Sequence, residues 1–339
     1  MQKYYVYKFF VGVGSVERFN KYKQFSRKMD RITIGIPAYN EGKTIGSTIK
    51  SILAQKELTH KPEIIICANG CTDNTEEVVY QLSKEHKNIR LIESERGKPN
   101  AWNLIRSKAE ENEIFFTDAD TYFSKKAVSL MQKKLKGNDV IAVGCNPSPI
   151  MNNTPFLLRP SYIPKEKAIL RSIWGGGYIF NNELLQFRLE QYGFNKMPKD
   201  IINEDRWIAL IIGQENLIHE ENARIYYKYV TSIKDYLRST VRIISGRYQI
   251  EQEYPELEYQ LSAKLKFAKK WTDRAIKWKH LSPKGKVIAP INFITKAPLR
   301  KLLKIYCDLQ AKHLYNTDSH TNHWPVTETS KVDITNFLA

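Results

Sequence analysis

Four short apolar runs, "RITIGI" (31–36), "EIIICA" (63–68), "IRLIES" (89–94) and "EIFFT" (113–117), each precede or follow a stretch with helical periodicity. Strands that are apolar at nearly every position have both faces to bury, and only helices laid over both sides of a sheet can do that. Ile45, Ile49, Ile52 and Leu53 recur at i, i+4, i+7 and i+8, which predicts a helix over roughly 42–55. Asp73 and Glu76 read as a capping box opening a second helix that turns Val78, Val79 and Leu82 inward. Pro99 suits the start of a third, continued by Ala101, Leu104 and Ile105. The alternation predicts an α/β fold: a Rossmann-like, mostly parallel central sheet flanked by helices. Ligands in such sheets sit beyond the carboxyl ends of the strands.

The chain has 339 residues, room for one large α/β domain and an extension. We expect an N-terminal basic and aromatic arm over 1–30, the α/β domain over 31–255, and a basic helical extension over 256–339. Cys67, Cys71, Cys145 and Cys307 form no CxxC pair, so sulfur-ligated metal is not expected and a reduced, cytoplasmic protein is. No apolar run approaches the ~20 residues that span a bilayer. The opening "YYVYKFFVGVGSV" carries Lys8 and lacks a small-residue cleavage site, so it is not read as a signal peptide. Lys and Arg outnumber Asp and Glu by 53 to 36, a net charge of +17 that favours polyanions. No nucleic-acid reading motif accompanies that charge, and nucleic acid is not an expected partner.

Asp118 and Asp120 follow the fourth strand one residue apart. In extended chain they would share a face and repel each other, and a divalent cation would resolve the clash. The plainer alternative is an acidic pair at a loop start. Asn69-Gly70 is either a turn or a ligand contact. Lys98, beside Gly97 at a helix start, suits phosphate oxygens, or is a solvated surface lysine. In "IWGGGYIF" (173–180), Gly175, Gly176 and Gly177 permit close approach of backbone to a ligand, or make a turn. Glu204 and Asp205 open a helix continued by Ile208, Ile211 and Ile212, where a carboxylate also complements the helix dipole. Arg242 and Arg247 either bind phosphate or belong to a charged helix face.

Taken in order, "IPAYNEGKTI" (36–45), "ANGCTDNT" (68–75), "RGKPNAWN" (96–103), "TDADTYF" (117–123) and "NEDRW" (203–207) resemble the family 2 glycosyltransferases over roughly 31–250. The resemblance implies an inverting enzyme of the GT-A fold. It implies a nucleotide held by Pro37, Ala38, Tyr39, Glu41, Asn69, Lys98 and Asp118, and Mn²⁺ or Mg²⁺ held by Asp118 and Asp120. It further implies a donor and acceptor loop at Gly175–Gly177, and Asp205 as general base with Glu204 beside it. Asn69 stands where the family usually has an Asp that receives a base N–H, so uracil specificity stays open. The QxxRW motif of processive members is absent from 232–249. The expected reaction moves a sugar from a nucleotide-diphosphate donor, UDP-linked by preference, to a glycan, lipid-linked or glycolipid acceptor. It would serve cell-envelope glycan, exopolysaccharide or glycolipid synthesis. A catalytically silent nucleotide-sugar or polyanion binder is the alternative.

Between 261 and 315 fourteen Lys and Arg face only Asp273 and Asp308. Leu261, Leu265, Ala268, Trp271, Ala275 and Trp278 make one apolar helical stripe, and Leu299, Leu302, Leu303 and Tyr306 a second. Basic amphipathic helices suit an anionic membrane surface, giving an expected peripheral position on the inner face of the cell membrane. The alternative packs both stripes against the catalytic domain.

Overall fold

The computed structural model describes residues 31–155, 158–159, 173–257 and 301–315. The expected N-terminal arm and the first apolar stripe of the extension lie outside these residues. Strands β1 (Thr33–Ala38), β2 (Glu63–Asn69), β3 (Ile89–Ser94) and β4 (Glu113–Phe116) alternate with helices α1 (Ile45–Leu53), α2 (Thr75–Glu85) and α3 (Lys98–Lys108). After β4 come β5 (Thr121–Phe123), α4 (Ala127–Lys136), β6 (Ala142–Ile150), β7 (Tyr178–Asn181), α5 (Asn182–Gln191), α6 (Glu204–Ile212), β8 (Leu217–Lys228) and α7 (Ile233–Glu253). Residues 301–315 form a further helix, α8.

All eight strands join one sheet in the order β3-β2-β1-β4-β7-β6-β8-β5. The β1–β2, β2–β3, β1–β4 and β6–β8 pairs are parallel, whereas β4–β7, β6–β7 and β5–β8 are antiparallel. The expected parallel sheet is therefore its N-terminal half, and an antiparallel return through β7 extends it. Side chains along β2 divide between two cores. Ile64 and Ile66 join Ile36, Ile45, Ile49 and Val79 on one face, while Ile65 and Cys67 join Trp102, Ile105 and Trp207 on the other. Both faces are covered, which is why these strands read as unbroken apolar runs.

Chain order runs outward from β1 in both directions, to β2 and β3 on one side and to β4 on the other. Between β1 and β4 the crossovers diverge and leave a crevice at the carboxyl ends. An aromatic stack of Trp102, Phe116, Tyr178 and Phe180 lies behind it, with ring centroids 5.3–6.0 Å apart. The Trp102 indole N–H donates to the buried Tyr178 hydroxyl at 2.7 Å. That bond satisfies both polar atoms inside the stack and ties α3 to β7.

Two local expectations are corrected. Asp118 and Asp120 do not continue a strand; residues 117–120 form a turn between β4 and β5. The Asp73/Glu76 capping box is not formed, since the N-cap of α2 is Asn74 and makes no side-chain cap bond. Asp73 Oδ1 instead accepts from Thr75 N at 3.0 Å, and its Oδ2 accepts from Gly42 N at 3.0 Å. Asp73 thereby links the loop after β2 to the loop after β1, a tertiary use that helix-start rules do not anticipate.

Candidate active site

Five segments converge on the crevice: the loops after β1 and β2, the start of α3, the turn after β4, and the start of α6. Gly97 precedes α3 with φ of 130°, backbone that favours glycine, and so releases Lys98 as the first helical residue. Lys98 Nζ pairs with Asp118 Oδ1 at 2.6 Å and with Glu204 in a still closer contact. Burial disfavours the ammonium, but the charges of Asp118 and then Glu204 outweigh it, and the Lys98 pKa lies above its ordinary value. Lys98 is thus no solvated surface lysine. It also answers the question posed by Asp118, whose first counter-charge is a lysine of the chain itself.

Hydroxyls hold the acidic turn. Thr121 Oγ1 donates to Asp118 O at 2.9 Å, and Thr117 Oγ1 donates to Gly176 O at 2.8 Å. Thr48, from α1, donates to Ala119 O and Thr121 O, both at 2.8 Å. Sequence patterning passed over all three threonines, because a buried hydroxyl occupies an otherwise apolar slot without disturbing the period.

The antiparallel pairing of Phe116 with Tyr178 carries Gly175–Gly177 to the end of β4, alongside that turn. A Cβ on Gly175 would stand 3.2 Å from Lys98 Nζ, 3.3 Å from Glu204 Oε1 and 3.7 Å from Asp118 Oδ2. Gly176 and Gly177 are closed in by Trp174 and by Ile225 with Cys145. Gly175 N donates to Asp205 Oδ2 at 3.2 Å, and Arg206 N donates to Asp205 Oδ1 at 2.6 Å. The Asp205 carboxyl is pushed up to about 6, by burial first and then by the charge of Glu204, with Lys98 and the two N–H groups acting in opposition. A carboxylate so tuned is suited to accept a proton near neutral pH. Gly175→Ala is expected to lower turnover at least about tenfold with little change in melting temperature, since a methyl group would press on the ion cluster. Wild-type turnover in that variant would show the glycine to be only a turn.

Pro37 and Ala38 are buried in β1, so they offer a ligand main chain only. Asn69 donates from Nδ2 to Ala38 O at 2.7 Å and accepts at Oδ1 from Gly97 N at 3.4 Å. Its amide binds the first loop to the start of α3, which explains an Asn here without invoking a base. Glu41 Oε2 accepts from Thr44 Oγ1 at 2.8 Å. Tyr39 lies under the Arg96 guanidinium, 4.4 Å from ring centroid to Cζ. Arg96 was not singled out from sequence, although it stands in the same "RGKPN" stretch as Lys98. Arg247 pairs with Glu251 at 3.1 Å on the surface of α7, and Arg242 is exposed there. α7 serves the site differently. Gln249 accepts from Ile202 N at 2.9 Å and donates to Asp200 O at 3.0 Å, and Gly246 packs against Asn203, bracing the approach to α6.

Among the described residues no group of three His, Cys, Asp or Glu forms a ready-made metal cage. The donor set nevertheless fits a hard cation completed by a ligand. Asp118 and Asp120 would offer it carboxylate oxygens, the ligands such an ion prefers, and Lys98 pairs with Asp118 through Oδ1. Asp118, Glu204 and Asp205 also outnumber Lys98 as charges. A diphosphate approaching this acidic cluster would be repelled unless a cation came with it.

The family model described as glycosyl transferase family 2 matches residues 33–198. A poly-beta-1,6-N-acetyl-D-glucosamine synthase of Staphylococcus epidermidis is 32% identical over 155 residues, covering 45% of this chain and 37% of that protein. Its counterpart in Staphylococcus aureus (strain COL) is 34% identical over 132 residues, covering 38% and 31%. The matched stretch is about a third of the length of these curated relatives. A mannosyltransferase from Pyrobaculum calidifontis, solved in complex with GDP-Man and Mn²⁺, superposes with a TM-score of 0.57 at 18% identity over 90% of this chain and 95% of that one.

Proposed function

Residues 33–198 being a family 2 glycosyltransferase domain on the GT-A fold, we propose that the enzyme transfers a sugar from a nucleoside-diphosphate donor to an acceptor hydroxyl with inversion, in polysaccharide synthesis. The observation that carries this reading is the Asp205 carboxyl. It is raised to about 6 and held by Gly175 N and Arg206 N, one residue from the Glu204 that pairs with Lys98. This reading assigns Asp205 as the base and Lys98 as a cationic phosphate anchor, both in the crevice at the switch point between β1 and β4.

The acceptor hydroxyl attacks the anomeric carbon, and its oxygen forms the new bond there. The bond from that carbon to the phosphate oxygen breaks, and the nucleoside diphosphate departs with the electron pair. Asp205 takes the acceptor's proton. Lys98 stabilises the negative charge growing on the diphosphate. When bound at Asp118 and Asp120, Mn²⁺ or Mg²⁺ supplies further positive charge to those leaving oxygens. The loop from Tyr39 to Glu41, with Arg96 over Tyr39, borders the nucleoside. A single displacement on an α-linked donor yields a β-linked product, in keeping with the β-linked polymer named in the curated relatives. We take UDP-N-acetylglucosamine as the first donor to test for the same reason, with a glycan or lipid-linked glycan as acceptor.

The deciding experiment is release of nucleoside diphosphate from a panel of nucleotide sugars, with and without Mn²⁺. Turnover of one donor that requires the cation, and is lost in Asp118→Asn with Asp120→Asn, is the expected result. A protein that binds nucleotide sugars yet releases no diphosphate with any donor would be the silent binder instead.

A further inference from the structure

Helix α8 is apolar on two opposite sides. Cys307 and Ala311 are fully buried and, with Leu314, pack against Leu237, Val241, Ile244 and Tyr248 of α7. On the other side Leu302, Ile305, Tyr306 and Leu309 are 63%, 47%, 50% and 64% exposed. These four follow i, i+3, i+4 and i+7, so they form one continuous stripe. They are four of the seven large hydrophobic residues exposed among the described residues, and Ile243 of α7 is another. Scattered apolar residues on a surface are ordinary, but a stripe opposite an already buried face is not explained by packing among the described residues. The two alternatives drawn from sequence, packing on the domain or facing a membrane, are therefore not exclusive on this helix. Different residues carry each, and the packing residues are Cys307 and Ala311, which the sequence stripe omitted.

We infer that the Leu302–Leu309 stripe docks on an anionic lipid bilayer. Charge selects this occupant. By helical spacing Lys301 and Lys312 fall along one flank of the stripe, and Lys304 stands further round on the same side, with Asp308, the one acid of the helix, between them, on a chain of net charge +17. Exposed Arg242 neighbours Ile243 on α7. A helix with a leucine and tyrosine face and a lysine flank lies in the interfacial plane, its apolar residues among acyl chains and its lysines at anionic headgroups. The inference does not depend on the proposed reaction, because docking is read without turnover.

Flotation of the full chain with phosphatidylglycerol–phosphatidylcholine vesicles, against phosphatidylcholine alone, tests it. The expected result is partitioning onto the anionic vesicles at least about tenfold above the neutral ones, weakened by salt. Leu302→Gln with Leu309→Gln should lose about tenfold of that binding, and both positions are exposed enough to leave folding intact. Lys301→Gln with Lys312→Gln should remove the preference for phosphatidylglycerol. Absence of vesicle binding, or equal binding by the leucine variant, overturns the inference. So does a wild-type dimer in size-exclusion chromatography that the leucine variant converts to monomer, which would make the occupant a second copy of the chain.

Discussion

Asp205→Asn should lower sugar transfer by about 10²–10⁴-fold while leaving donor affinity within about twofold, the signature of a lost general base rather than a lost binding site. The substitution keeps the shape, but its amide has a single accepting oxygen, so one of the bonds from Gly175 N and Arg206 N goes together with the capacity to take a proton. The wild-type pH profile supplies an independent check. Because the Asp205 pKa is raised to about 6, the base is ready above that value, and the rate should fall as pH drops through it. An acid limb near 6 that is absent from the residual activity of the Asn variant is the expected pair of results. Equal loss of donor binding and turnover, or an unchanged acid limb, would remove Asp205 from the role of base.

Lys98→Met should be comparably severe, for a different reason. It removes the counter-charge of both Asp118 and Glu204 and, in the mechanism we propose, the chain's own cation at the leaving diphosphate. Loss of one such preorganised charge costs about 10²–10³-fold in turnover. A second consequence is specific to this geometry. Lys98 opposes the upward shift of Asp205, so its removal should move the acid limb to higher pH, while Glu204→Gln should move it lower. Opposite displacements of one kinetic pKa by two neighbouring substitutions would not arise from general misfolding. Wild-type turnover with an unshifted limb in Lys98→Met would show that the lysine only fills space.

Much of the catalytic half is legible in the sequence because its strands are buried on both faces, so runs such as "EIIICA" and the isoleucine spacing of α1 report tertiary environment directly. The motifs at strand ends could likewise be placed in one crevice, since parallel topology gathers carboxyl ends together. What escaped reading is pairing between distant segments. Nothing local marks Asn69 as a bridge between Ala38 and Gly97, or Asp73 as a bond to Gly42. β6 carries two prolines and half-exposed residues, and β8 is half-exposed along much of its length, so the antiparallel part of the sheet has no clear apolar period. Nothing local marks the turn at Asp118 either, because four apolar or hydroxyl positions precede it and threonine is at home in strand and turn alike.

Those threonines have a further consequence. Thr48 stands on the helix that follows the Tyr39 loop, and its hydroxyl donates to the Ala119 and Thr121 carbonyls in a shared bond. The helix after the Tyr39 loop and the turn that carries Asp118 are thereby clamped into one unit before any ligand arrives. The ordering entropy of the acidic turn is met when the chain folds, not when a ligand binds.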